Sequence, residues 1–424
     1  MFNRVLAVLA CAVSLPAFAG EAGDLARQHL YAGTLAEARV ALTPLGATGD
    51  TEAQFGLGLV EIVDALGSVS RAFYRHGAVL PGSEFVLGSA ISGSLPANPS
   101  PQPLDYAAFR DILETLVTQL DSASATLEAA GAAGDYVVSV DLLKIRVDID
   151  GNGTAEDGET FANALMAGLQ IDPATMTNGG AAGSAVGSGG HDAALPTTEV
   201  GFDRADAIWL AGYANVVPAQ ADFLLAHDFS DFVNSSFHRL FPAAGLPMQD
   251  YSNGGMLMLD PATDNAIADA ITAIHTINWP VTDTARLKRV HARLGKIVAL
   301  SRQNWDAILL ETDDNRELLP SPRQTSLVPE GAVTDEMVAA WRATLDVADK
   351  ILAGELLIPH WRFKQGFDLN AYFETATRTD FVMILSGYGA LPYLRDGPVA
   401  TADSFAEANR VFGDNLLGYA FWFN

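Results

Sequence analysis

Apolar residues recur along this chain mostly at helical spacing. Between Asp24 and Leu45 the positions Leu25, Ala26, Gly33, Leu35, Ala38, Leu42 and Leu45 fit two short antiparallel helices, with Gly33 at the turn. From Asp105 to Ala130 a longer helix is expected through Phe109, Ile112, Leu113, Leu116, Leu120 and Leu127, with Asp105 as N-cap and Gly131 as stop. Helical patterns resume over Asp203 to Ala226, Pro261 to Ile277 and Thr284 to Leu310, the last carrying Leu287, Val290, Leu294, Ile297, Val298, Trp305 and Ile308 at core spacing. Thr334, followed by Asp335 and Glu336, reads as the N-cap of a helix that runs to about Ala353 and ends at Gly354. Alternating β-branched residues are confined to Tyr136 to Val140 and a second candidate, Ile145 to Ile149. The expected fold is mainly α, a multi-helix bundle or array of helical hairpins.

Breaks in the pattern divide the chain. Pro81 to Pro103 and Leu319 to Pro329 are Pro-rich connections, and Asn178 to Gly190 (NGGAAGSAVGSGG) is too rich in glycine to pack as an element. No Lys follows those glycines and no GxGxxG or GxxxxGK[ST] spacing occurs there, so they form a loop and not a phosphate cradle. The expected divisions are a leader at 1–19, a helical-hairpin region at 20–80, a helical region at 81–177, a Gly-rich linker at 178–202 and a C-terminal helical domain at 203–424.

The first hairpin, with Gly33 at its turn and Gly56, Leu59 and Gly67 continuing the pattern, resembles a tetratricopeptide repeat. A solenoid needs about three repeats or more, so an ordinary helical hairpin accounts for the same residues.

The segment Asp148 to Glu159 reads D-I-D-G-N-G-T-A-E-D-G-E and resembles the calcium loop of EF-hands, matching D-x-[DN]-x-[DN]-G-x5-E without a gap. Hard Ca²⁺ takes six to eight oxygens, and the spacing curls Asp148, Asp150 and Asn152 around one point while Gly153 permits the sharp turn. The resemblance implies that Thr154 offers its carbonyl, Glu156 acts directly or through a water, and Glu159 closes the site with a bidentate carboxylate. Five carboxylates in twelve residues repel one another unless a cation neutralises them. Leu142, Leu143, Ile145 and Val147 are expected on an entering helix, and Phe161, Ala164 and Leu165 on an exiting one. Position eight of the family pattern, where a large aliphatic residue pairs with a second EF-hand, is Ala155 here, and no second loop of this kind occurs in the chain. An unpaired loop belongs among the weaker sites, with dissociation constants of about 10⁻⁴–10⁻³ M.

The N-terminus adds a compartment. MFNRVLAVLACAVSLPAFAG places Arg4 before an apolar run from Val5 to Leu15 and a small-x-small end at Ala17-Phe18-Ala19, the pattern of a secretory signal peptide cleaved after Ala19. A lipoprotein signal ending at Cys11 is the competing reading, with an apolar run about half the usual length. Cleavage removes Cys11, the only cysteine, so no disulfide is expected in a periplasmic or secreted product. Ala207 to Ala221 and Phe381 to Leu394 are the longest uncharged apolar stretches, and both fall short of the ~20 residues of a membrane span.

Charge then narrows the partners. Twenty-five Lys and Arg stand against 51 Asp and Glu, a formal charge of -26 that loss of Arg4 takes to -27. This opposes nucleic acid and anionic membrane surfaces and favours cations. Six of the cations, Arg286, Lys288, Arg289, Arg293, Lys296 and Arg302, lie on one helix, where pairing with the chain's own acids is expected over an anionic ligand. His227, Asp228, Asp231 and His238 lack metal-ligand spacing. His360-Trp361-Arg362-Phe363 and Tyr419 to Phe423 read as core anchors. The expectation is an exported, mainly helical binding or structural protein that holds Ca²⁺ and engages a protein or envelope polymer. The alternative is a hydrolase with paired carboxylates, such as Asp313-Asp314, in an interhelical cleft.

Overall fold

The computed structural model describes residues 20–79, 97–161, 199–248, 261–314, 317–326, 331–413 and 416–424. The leader, the glycine-rich stretch at 178–190 and part of each Pro-rich connection lie outside them. The protein is mainly α, and its strands form three two-stranded antiparallel pairs among the described residues.

The N-terminal hairpin forms as its apolar pattern requires. α1 (Glu21–Ala32) and α2 (Leu35–Ala47) are joined at Gly33, whose φ of 71° is the left-handed conformation a side chain disfavours. α3 (Thr51–Arg75) is capped by Asp50, whose carboxylate accepts from Ala53 N–H at 3.0 Å. Its length and apolar composition would suffice to cross a membrane, yet 67% of its most apolar window is buried inside the molecule, as in a core helix. α4 (Tyr106–Ala132) begins at the expected cap, Asp105, which accepts from Ala108 N–H at 2.8 Å. Gly58 lets α3 approach α4 closely: a Cβ there would stand 2.6 Å from Leu127.

After α4 the chain runs through β1 (Val138–Asp141), which pairs with β2 (Glu199–Phe202) in the register Val138 to Phe202. α5 (Arg204–Leu225) follows and packs between α4 and α8 (Thr284–Ile308). Pro218 sits inside α5 without ending it. Between them lie α6 (Ser230–Ser236), α7 (Pro261–Thr276) and β3 (Asn278–Pro280). α9 (Asp335–Leu352) starts at Thr334, whose hydroxyl accepts from Met337 N–H at 3.2 Å, and the chain turns at Gly354 with φ 71°.

The C-terminal part is made of short pieces: β4 (Gly366–Phe367), α10 (Leu369–Thr375), β5 (Arg378–Asp380), α11 (Phe381–Ser386), a 3₁₀ turn at Tyr388–Tyr393, β6 (Leu394–Arg395), α12 (Ala406–Phe412) and α13 (Leu416–Phe423). β3 pairs with β5, and β4 with β6.

One apolar cluster runs from Ala22 in α1 to Phe423 in α13, so residues at the two ends of the described chain share a core. Fully buried Trp305 donates its indole N–H to the carbonyl of Phe423 at 3.1 Å, which secures the last helix as the terminal aromatic run predicts. The other aromatic run departs from expectation: Trp361 is 74% exposed, so it anchors no core.

The basic helix is α8, and each of its six cations pairs with a carboxylate. Arg286 meets Glu114, Lys288 meets Glu374, Arg289 meets Asp222, Arg293 meets Asp121 and Asp222, Lys296 meets Glu128, and Arg302 meets Asp346 and Asp349. His227 and His238 are likewise engaged. Buried His227 bonds Phe223 O at 2.6 Å and Thr379 Oγ1 at 2.7 Å, and burial lowers its pKa, keeping the ring neutral. His238 lies 3.1 Å from Asp269, which Arg239 also holds.

Candidate metal centre and the interior carboxylates

The loop from Asp148 to Glu159 is entered by extended chain. Leu142–Lys144 form a single 3₁₀ turn, after which Ile145 to Val147 run straight, and Arg146 bridges antiparallel to Thr160. Val147 N–H donates to Glu159 O at 2.8 Å, and Phe161 N–H donates to Ile145 O at 2.8 Å. The expected entering helix is therefore absent. The β-branched residues Ile145 and Val147, both fully buried, suit a pleated edge better than a helix. Phe161 is helical, while Ala164 and Leu165 lie outside the described residues.

Inside the loop the acids turn inward. Ligand oxygens of Asp148, Asp150 and Glu159 all lie within 4.8 Å of one another. Asp148 accepts from the N–H groups of Gly151, Asn152 and Gly153 at 2.8, 3.1 and 3.0 Å. Glu159 accepts from Ile149, Asp150 and Glu156 at 2.9, 3.1 and 3.0 Å. Gly151 and Gly153, with φ of 75° and 91°, supply the turns that aim these N–H groups inward. A carboxylate offers about four lone-pair sites, so each of the three acids retains capacity toward an ion. Asn152 accepts from Thr154 N–H at 2.8 Å and donates to Asp150 at 3.1 Å. Glu156 is exposed and stands outside the three-carboxylate group, 3.4 Å from the Asn152 amide. Thr154 is exposed.

The loop is seated on the N-terminal helices. Ala155, at the position where the EF-hand pattern carries a large residue, is buried against the α1–α2 turn; a Cβ on Gly33 would stand 2.3 Å from that of Ala155. A bulkier residue would lift the loop off the hairpin. Arg146 N–H donates to Leu30 O at 3.0 Å, its guanidinium pairs with Asp157 at 2.6 Å, and Arg71 reaches Asp148 O at 3.3 Å. Val147 packs so closely on α3 that a Cβ on Gly67 would come within 2.6 Å of it.

A second gathering of acids lies in the interior, and it is not visible in the sequence as a site. Asp203 and Asp206 form a capping box at the start of α5: Asp203 accepts from Ala205 and Asp206 N–H, and Asp206 accepts from Asp203 N–H at 3.0 Å. Glu311 and Asp313, just past α8, and buried Glu317 face them. Burial, then the repulsion of Asp203, pushes Glu311 up to about 9. Asp206 is raised well above the usual carboxylate range by burial, Asp203 and Glu317. Asp203 is raised chiefly by burial, and Glu311, raised to about 9, holds its proton at neutral pH. The Asp-x-x-Asp spacing announces the cap, but nothing local announces that residues a hundred positions later close over it. Of the expected pair Asp313-Asp314, Asp313 faces this group, while Asp314 accepts from Thr325 N–H at 2.7 Å and braces a turn.

No protein-family model, curated protein or solved structure matches this chain.

Proposed function

We propose that Asp148 to Glu159 bind Ca²⁺ and that the protein is an exported, mainly helical binding or structural protein in which this ion fixes the loop to the N-terminal hairpin. The convergence of Asp148, Asp150 and Glu159 carries the reading, because three carboxylates within 4.8 Å repel one another until a cation joins them. Hard oxygen donors and glycine turns suit Ca²⁺ above a thiophilic metal. Asn152, the Thr154 carbonyl and Glu156 complete the oxygen set that the EF-hand resemblance implies. The seating of Ala155 on Gly33 gives the ion a structural role, since ordering the loop orders the hairpin beneath it. Export rests on the leader at 1–19, in a compartment where millimolar calcium would fill so weak a site.

Calorimetry on the chain starting at Gly20 should record one calcium site, and Asp148→Ala should abolish it. The absence of any heat of binding would sink the proposal. A second reading, a hydrolase acting on an envelope polymer, draws on the proton that Glu311 holds at neutral pH, which could serve as a general acid. Turnover of such a polymer that Glu311→Gln abolishes would establish it.

A further inference from the structure

Trp361, Leu385 and Tyr388 are 74%, 71% and 72% exposed, and they stand together at one end of the C-terminal part. The Trp361 indole N–H donates to Leu385 O at 2.8 Å, and His360 Nε2 lies 3.1 Å from Ile384 O, so the 360–363 turn is pinned to α11. Gly387, between Leu385 and Tyr388, approaches so closely that a Cβ there would stand 3.0 Å from both Arg362 and Phe363. Tyr388 and Leu391, three apart in a 3₁₀ turn, project on one side, and Leu391 is 49% exposed. Val382 and Met383 add partly exposed apolar surface at 39% and 36%.

We propose that this cluster inserts into the interface of a zwitterionic phospholipid bilayer. Side chains more than 70% exposed protrude, and a protruding apolar group fits a fluid medium that needs no matching pocket. Trp and Tyr are the residues that settle at the headgroup level, with Leu, Val and Met reaching past it. The polar capacity of the Trp361 N–H is already spent on Leu385, and the surrounding aliphatic residues offer a sugar no hydrogen bonds. Charge agrees locally. Phe381 to Leu394 carries no charged residue, and the facing turn carries Arg362, stacked 4.7 Å from the Trp361 ring, and Lys364. Both cations are exposed and neither has a carboxylate partner among the described residues, unlike those of α8, so they can meet lipid phosphates. The chain's formal charge of -26 repels an anionic surface, which is why the fitting bilayer is zwitterionic.

The chain starting at Gly20 should co-sediment with phosphatidylcholine vesicles, and bromine-labelled acyl chains should quench the one exposed tryptophan among the described residues. Leu385→Asp and Tyr388→Asp should each lower the partition coefficient at least about tenfold, whereas Val40→Asp, at a 77% exposed position on α2, should leave it unchanged. Admixing anionic lipid should weaken binding. Wild-type protein that stays with the supernatant would overturn the proposal, as would equal losses in Val40→Asp. Dimers in sedimentation velocity that Leu385→Asp dissolves, with no vesicle binding, would overturn it in favour of self-association. Binding to a polysaccharide in place of vesicles would overturn it in favour of sugar stacking.

Discussion

Asp206 and Asp222 lie near opposite ends of the same helix, α5, and both are buried. Asp222 receives Arg289 at 3.0 and 2.7 Å and Arg293 at 2.8 Å, with Arg286 at 3.6 Å. Asp206 faces acids instead: Asp203, Glu311 and Glu317. One end of the helix is neutralised by guanidinium, and at the other burial and neighbouring acids push the carboxyls toward protonation. A chain with twice as many acids as cations spends its arginines at the α4–α5–α8 interface, where three helices must close, and leaves the other end to protonation. The loop at Asp148 is a third case, in which backbone N–H groups and, on our proposal, a calcium ion do the same work near the surface.

The sharpest break of this contrast is removal of one arginine. Arg293 is 8% exposed and touches Asp222, Asp121 and Asn215. Arg293→Ala leaves Asp222 buried with less compensation and should cost about 3–5 kcal/mol in urea unfolding. Asp206→Asn, which replaces an acid whose pKa burial raises by a neutral isostere able to keep the capping bond, should change stability at pH 7 by less than about 1 kcal/mol. Equal costs would show that both ends depend on charge alike.

Calcium sharpens the comparison from the third site. With the ion at about ten to a hundred times a dissociation constant of 10⁻⁴–10⁻³ M, binding should add about 1.5–3 kcal/mol to stability. In thermal melts with calcium and with chelator, Asp148→Ala and Glu159→Gln should remove the shift, and Glu311→Gln should leave it intact. The opposite pattern would make the interior acids the ion site. Ala155→Leu should uncouple the pieces: calorimetry would still record an ion, but the stabilisation would shrink as the enlarged residue meets the Gly33 turn.

These sites differ in how far they can be read in advance. The acidic loop proposed to hold calcium is contiguous, so its twelve residues can be read together, and the caps at Asp105 and Thr334 are equally local. Its entering flank suggests a helix wrongly because Leu142, Leu143, Ile145 and Val147 lack a decisive period, and pairing of Arg146 with Thr160 across the loop decides for extended chain. The group at Asp203, Asp206, Glu311 and Glu317 depends on α8 returning its far end to the start of α5, which no local pattern encodes. Trp361 misleads for a related reason: an aromatic in an apolar neighbourhood looks interior until the chain path places it at a surface.

The smallest expected effect tests the proton itself. Glu311 sits near 4.5 in the unfolded chain and about 9 in the folded one, so between those values the folded state keeps a proton that the unfolded state releases. Its contribution to stability is fully present below about pH 4.5 and is lost as pH rises toward about 9. Glu311→Gln cannot titrate. The variant should therefore match wild type near pH 5 and melt higher at pH 8.5. Because Glu311 is partly open to solvent, that gain is screened to about 1–3 °C. A separation between the two melting curves that stays constant from pH 5 to 9 would mean that the titrating proton resides elsewhere in the group, and that Asp206, deeper and likewise raised, is the group to replace next.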